Sequence, residues 1–100
     1  MMIERNEFRI QFGKMKEAKA IWLDIINALK PEINSKIRMI TDLTGPAYTL
    51  VIESERKDFM ELILAQEKWK VNSRVTDLYQ QFIKICQSSE RILYHLEYEG

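Results

Sequence analysis

Residues 36–55 read KIRMITDLTGPAYTLVIESE, a pattern of one strand, a tight turn and a second strand. Gly45 tolerates the positive φ of a sharp turn, and Pro46 beside it fixes φ and cannot donate to a sheet ladder. The flanks are β-branched or long and apolar: Ile37, Met39 and Ile40 before the turn, Leu50, Val51 and Ile52 after it. On the first strand Ile37, Met39 and Leu43 share one face, and Arg38, Ile40 and Asp42 the other. On the second, Leu50 and Ile52 share one face, and Thr49, Val51 and Glu53 the other. A half-exposed antiparallel strand alternates cleanly between apolar and polar residues. These strands keep apolar groups on both faces. One face is therefore expected to pack on helices, while the other meets another sheet, a ligand cavity or a partner chain.

Upstream, Phe8, Ile10 and Phe12 alternate with Arg9 and Gln11, which is the period of a strand. From Met15 the period lengthens. Met15, Ala18, Trp22, Ile25 and Leu29 recur three or four apart, with Ile21 and Ile26 widening the stripe. This predicts an amphipathic helix with Trp22 in the core, stopped by Pro31 and followed by a polar loop from Glu32 to Ser35. Downstream, Ser54 is a candidate N-cap for a helix whose stripe is Phe59, Leu62, Ile63 and Gln66, with Met60 and Trp69 at its edges. Asn72 or Ser73 caps the next helix, with Val75, Leu78, Phe82, Ile85 and Cys86 on its apolar face. The last strand places Ile92, Tyr94, Leu96 and Tyr98 on one side, Leu93, His95 and Glu97 on the other. The expected strands cover 4–12, 35–43, 47–55 and 90–98, and the expected helices 14–29, 56–68 and 73–87. That order is the split β-α-β arrangement of a ferredoxin-like α+β fold, with a four-stranded antiparallel sheet and helices on one face only.

The totals bound the rest. One hundred residues without repeat or linker suit a single domain, 1–100. A hydrophobic fraction of 46% is that of a globular chain. Fifteen basic and fifteen acidic residues cancel, so there is no basic stripe of the kind a nucleic-acid binder shows. Cys86 is the only cysteine, so no internal disulfide forms, and a reducing cytoplasm is the expected compartment. One Cys and one His cannot furnish a closed metal site. No metal or cofactor is expected. The opening MMIERNEF lacks the apolar stretch of a signal peptide, and runs such as Ala20–Leu23 are too short to span a bilayer.

The turn FGKMKEA, the hairpin KIRMITDLTGPAYTLVIESE and the ending SSERILYHLEY together resemble the NIPSNAP-like branch of the dimeric α+β barrel superfamily. The resemblance covers Phe8 to Tyr98, and its most specific piece is TDLTGP with the apolar strand after it. It implies a homodimer in which the bare faces of two sheets close an eight-stranded barrel. Relatives include cofactor-independent monooxygenases of aromatic polyketides, haem-degrading enzymes and stress-related proteins without a known activity. The haem-degrading relatives depend on a set of Asn, Trp and His. Asn6 and Trp69 are present here, but His95 lies on a different element.

Candidate site residues follow from side-chain chemistry. His95, the only histidine, suits a general base or a haem ligand; the alternative is a structural histidine at an interface. Arg38 and Asp42 could orient a polar ligand, or form an ion pair at an edge. Tyr48, Tyr94 and Tyr98 could line an aromatic pocket, or be core and interface. Cys86 on an apolar helical face reads as an inert buried thiol. The ligand cleft is thus expected at Arg38, Asp42, Tyr48, Tyr94 and His95, with His95, Tyr48 and Arg38 as catalytic candidates. Three functions fit: a small dimeric barrel protein binding an apolar or aromatic molecule between sheet and helices, a cofactor-independent monooxygenase acting on an aromatic substrate, or a non-catalytic dimeric scaffold. A roomy apolar cavity with convergent polar groups separates the first two from the third.

Overall fold

The structure, a computed structural model, describes residues 1–30 and 36–100. Four strands, β1 (Met2–Ile10), β2 (Ile37–Thr41), β3 (Thr49–Arg56) and β4 (Cys86–His95), form one antiparallel sheet in the order β2-β3-β1-β4. The helices are α1 (Met15–Leu29), α2 (Phe59–Val71) and α3 (Ser73–Ile83). This is the expected ferredoxin-like α+β arrangement. Among the described residues no helix is long and apolar enough to cross a membrane.

Directly opposed residues of an antiparallel pair share a face, so the register sorts every side chain. Phe8 and Ile10 of β1 and Leu50 and Ile52 of β3 are buried together against the α1 stripe Ala18, Ile21, Trp22, Ile25 and Leu29. Val75, Leu78 and Phe82 of α3 complete this core. The predicted α1 stripe is the buried one, Trp22 included. The helix stop at Pro31 and the loop 32–35 lie outside the described residues.

The hairpin turn uses the residues that the sequence marks. Gly45 has φ +104, the Thr49 amide donates to Asp42 Oδ1 at 2.9 Å, and the Thr49 hydroxyl donates to the Pro46 carbonyl at 2.8 Å. Asn72 caps α3 by accepting from the Val75 amide at 3.1 Å, as expected.

Four expectations are corrected. The cap of α2 is Asp58, which accepts from the Glu61 amide at 2.9 Å. Ser54 instead stays in β3, because that strand runs two residues further, to Arg56. The buried positions of α2 are Leu62 and Ala65, and Phe59 and Met60 stay exposed. The segment FMELILA is apolar nearly all round, so spacing alone could not select its inward face. Helix α3 ends at Ile83, and β4 begins at Cys86, covering 86–95 rather than 90–98. Ser88 and Ser89, which look like a helix end, sit opposite Arg9 and Phe8 in the ladder, and Cys86 pairs with Ile10 across a register shift. Finally, the side facing a partner is expected from the sequence to hold Arg38, Ile40, Val51, Leu93 and His95, but the open sheet face carries Ile92 and Tyr94 beside Ile40 and Val51. Leu93 and His95 lie opposite Glu4 and Met2, on the helix side. Both alternations of β4 contain apolar groups, so only its pairing with β1 decides between them.

Candidate functional site

The five cleft residues expected from sequence do not come together. Arg38 and Tyr94 are on the open sheet face, on β2 and β4, with two strands between them. Asp42 is used by the hairpin turn. Tyr48 is left-handed at φ 61, accepts from the Ile10 amide at 2.8 Å and lies 5.2 Å from the Phe12 ring. His95 is exposed at the end of β4. Tyr98 lies beyond the strand and is exposed.

On the open face the ordering feature is an Arg–Glu–Arg triad spanning three strands. Glu53 lies opposite Arg5 on β1 and Arg38 on β2. Its Oε2 accepts from Arg5 Nη2 at 3.0 Å and its Oε1 accepts from Arg38 Nη2. Arg5 also lies 5.8 Å from the Tyr94 ring centre, a cation–π contact. Burial disfavours the charged carboxylate of Glu53, but the hydrogen bonds and charges of Arg38 and Arg5 outweigh it and hold the group below its ordinary value of 4.5. A carboxyl whose folded pKa is depressed adds stability above its unfolded pKa and loses it as pH falls through the folded value. Urea titrations from pH 7 downward should therefore show Glu53 stability at full strength above the ordinary value of 4.5 and fading below it. In Glu53→Gln this part of the acid limb should be flat; an unchanged limb would rule the triad out as its source.

The cavity lies on the other side, between sheet and helices. It holds about 440 Å³, within the range of small-molecule sites. Its aromatic wall comes from Phe8 on β1, Trp22 on α1, Trp69 on α2 and Tyr79 on α3. Trp22 and Trp69 are 5.9 Å apart between centroids, and Trp69 and Tyr79 are 5.4 Å apart, edge to face. Such pairs form a rigid, flat-sided surface. Its polar end comes from Glu4 and Asn6 on β1, Ser54 and Arg56 on β3, and Arg91 on β4. Glu4 Oε1 accepts from Arg56 Nη2 at 3.3 Å, and Glu4 Oε2 faces Arg91 Nε at 3.6 Å. With its amide oxygen turned toward Arg91, Gln66 of α2 accepts from both Nη1 and Nη2, at 3.1 and 2.8 Å.

Three buried donors of this wall lack a partner: Trp22 Nε1, Arg56 Nε and Arg56 Nη1. Buried donors are nearly always paired, and these three are not. Tyr79 stays a neutral phenol at physiological pH, because burial first, and nearby Cys86 second, push its pKa up. Burial likewise pushes the Cys86 thiol up, partly offset by its hydrogen bonding with the Ser88 backbone. The cavity thus offers hydrogen-bond donors, while Cys86 remains a protonated thiol and a poor nucleophile.

A sequence signal for this site exists. Glu4 and Asn6 have the same parity as Phe8 and Ile10, and Ser54 and Arg56 the same parity as Leu50 and Ile52. Both core-facing alternations turn polar at the paired ends of β1 and β3, where Met2 lies opposite Arg56. A core face that becomes charged at one end is a cavity end.

No protein-family model matches the chain, and neither does any curated protein. Solved structures do. A NIPSNAP domain protein from Burkholderia xenovorans superposes with a TM-score of 0.84 at 16% identity, covering 96% of this chain and 94% of that one. A NIPSNAP family protein from Agrobacterium tumefaciens gives 0.85 at 18% identity, over 94% of this chain and 90% of that one. A putative antibiotic biosynthesis monooxygenase from Nitrosomonas europaea gives 0.76 at 10% identity, over 98% and 100%. The chain therefore has the α+β fold of these NIPSNAP and monooxygenase structures, the fold that its own hairpin and ending already resemble.

Proposed function

We propose that this protein binds a small aromatic molecule in the cavity between sheet and helices, as a homodimer closed through the open sheet face. The observation that carries the reading is the cavity of about 440 Å³ walled by Trp22, Trp69 and Tyr79, two of whose lining residues, Trp22 and Arg56, hold unpaired buried donors. A scaffold that used only its sheet would have no reason to keep such a space, since interiors normally pack to crystal-like density. The expected result is that a panel of small aromatics raises the melting temperature and quenches Trp fluorescence through Trp22 and Trp69. At a hundredfold excess over Kd, a ligand that binds only the native state adds about 2.7 kcal/mol, a shift of several degrees. A panel that moves neither signal would reject the reading.

A second reading is a cofactor-independent monooxygenase; two of the structural neighbours are described as an antibiotic biosynthesis monooxygenase, one of them as a putative one. It draws on Trp22 Nε1 and the neutral Tyr79 phenol, donors in the cavity wall that could polarise a bound aromatic. His95, Tyr48 and Arg38 are not among the residues lining the cavity. Oxygen uptake on adding a bound aromatic separates catalysis from binding alone.

A further inference from the structure

We infer that the ligand is an aromatic acid, with its carboxylate seated on Arg56; this rests on the aromatic-binding reading above. Arg56 closes β3 with its side chain in the helix-side cavity, and only 7% of the residue is exposed. A guanidinium carries five N–H donors and cannot shed its charge. Glu4 takes only one of its nitrogens, at 3.3 Å, longer than a charge-assisted bond at its best. Nε and Nη1 are shut away from solvent with no partner. Leaving a buried charged group half satisfied is costly unless something else completes it.

The charge balance names the missing partner. Among the described residues lining the cavity, Glu4 is the one carboxylate; of the three cations, Lys70 is exposed and paired with Glu67 at 3.6 Å, which leaves Arg56 and Arg91 facing Glu4. Glu4 is already shared between Arg56 and Arg91. The Gln66 oxygen that faces Arg91 is neutral. The polar end therefore holds excess positive charge in a partly dry site, where an anion interacts most strongly. Opposite it stands the wall of Trp22, Trp69 and Tyr79, which suits a flat ring. One molecule that satisfies both ends has an aromatic body and an anionic oxygen group. A carboxylate supplies acceptor lone pairs of the kind that the Arg56 nitrogens lack.

The test uses matched pairs, benzoate against benzyl alcohol and naphthoate against naphthalenemethanol, titrated into the whole protein at pH 7 and read by Trp fluorescence. The unaltered protein should bind the acid of a pair about tenfold or more tighter than the alcohol, the scale of one charged hydrogen bond. In Arg56→Gln the preference for the acid should be lost, so that the two bind alike. Arg56→Lys keeps the charge without the planar fork and should lower the preference only partly; it serves as the second variant if Arg56→Gln does not fold. Equal binding of acid and alcohol by the unaltered protein would overturn the inference and leave aromatic binding standing. A preference that survives Arg56→Gln intact would overturn the assignment to Arg56. Binding of neither member of either pair would remove the aromatic-binding reading together with the inference.

Discussion

Trp22→Ala should cost the protein about 3 to 5 kcal/mol of folding stability. Trp22 sits in α1 with 4% of its surface exposed, where it meets four other aromatic rings. Phe8 lies 5.6 Å away, Phe82 5.7 Å, Trp69 5.9 Å and Tyr79 6.2 Å, ring centre to ring centre. Truncation removes the transfer free energy of the indole and all of these ring contacts. It also merges the vacated space with a cavity that already holds about 440 Å³, so neighbours have little chance to collapse inward. The cost of such a substitution rises with the volume left empty. Against a typical total of about 5 to 15 kcal/mol, a loss of this size leaves a marginal protein. Urea unfolding should show a lower midpoint at an unchanged slope, and Trp22→Phe should recover most of the loss. A change under about 1 kcal/mol would show that the ring cluster is not a stabilising core.

That cluster also explains which features the sequence discloses. The α1 stripe was legible because α1 has one apolar side and a polar one: Ala18, Trp22, Ile25 and Leu29 recur at helical spacing among lysines and acids. The hairpin was legible because Gly45 and Pro46 punctuate it and β-branched residues flank it. Period works where the environment is one-sided. It fails in α2, where Phe59, Met60, Leu62, Ile63 and Leu64 leave no polar side to mark the outside. It fails in β4 for a related reason, since Ile92 and Leu93 are equally able to face inward, and pairing with β1 settles the matter. A cavity between sheet and helices is expected from the sequence, but its lining residues are not, because tyrosines, the histidine and edge charges draw attention by residue type. The side chains that line it, Glu4, Asn6 and Arg56, look like ordinary strand polars until their parity is compared with that of Phe8 and Leu50. Position within an alternation, more than residue chemistry, was the informative signal.

Replacing Ile40 and Val51 together by Asp should turn a dimer into monomers or make the protein insoluble. Ile40 and Val51 are direct partners across β2 and β3 on the open sheet face. Ile3, Ile92 and Tyr94 extend the apolar patch across β1 and β4. Apolar area left in water costs about 25 cal/mol for each Å², and no described helix covers this side of the sheet. A second copy offers the same patch in return, so a two-fold contact is the simplest closure. The Arg5–Glu53–Arg38 triad suits such an interface, because its carboxylate is already paired on both oxygens and can be covered without leaving Glu53 unsatisfied. A stable dimer of this kind buries about 1,600 Å² or more in total. Each substituted protomer would bring two unpaired carboxylates into that contact, four per dimer, and each such charge costs several kcal/mol once dry. Association should therefore weaken, with Kd rising by about a thousandfold or more. Light scattering at micromolar concentration should report twice the chain mass of 11.9 kDa for the unaltered protein and the single mass for any soluble variant. Helical content should partly survive in the variant, because α1 and α3 pack on the opposite face through Phe8, Leu50 and Ile52. A monomer found for the unaltered protein would reject the dimer and leave the open face to some other partner.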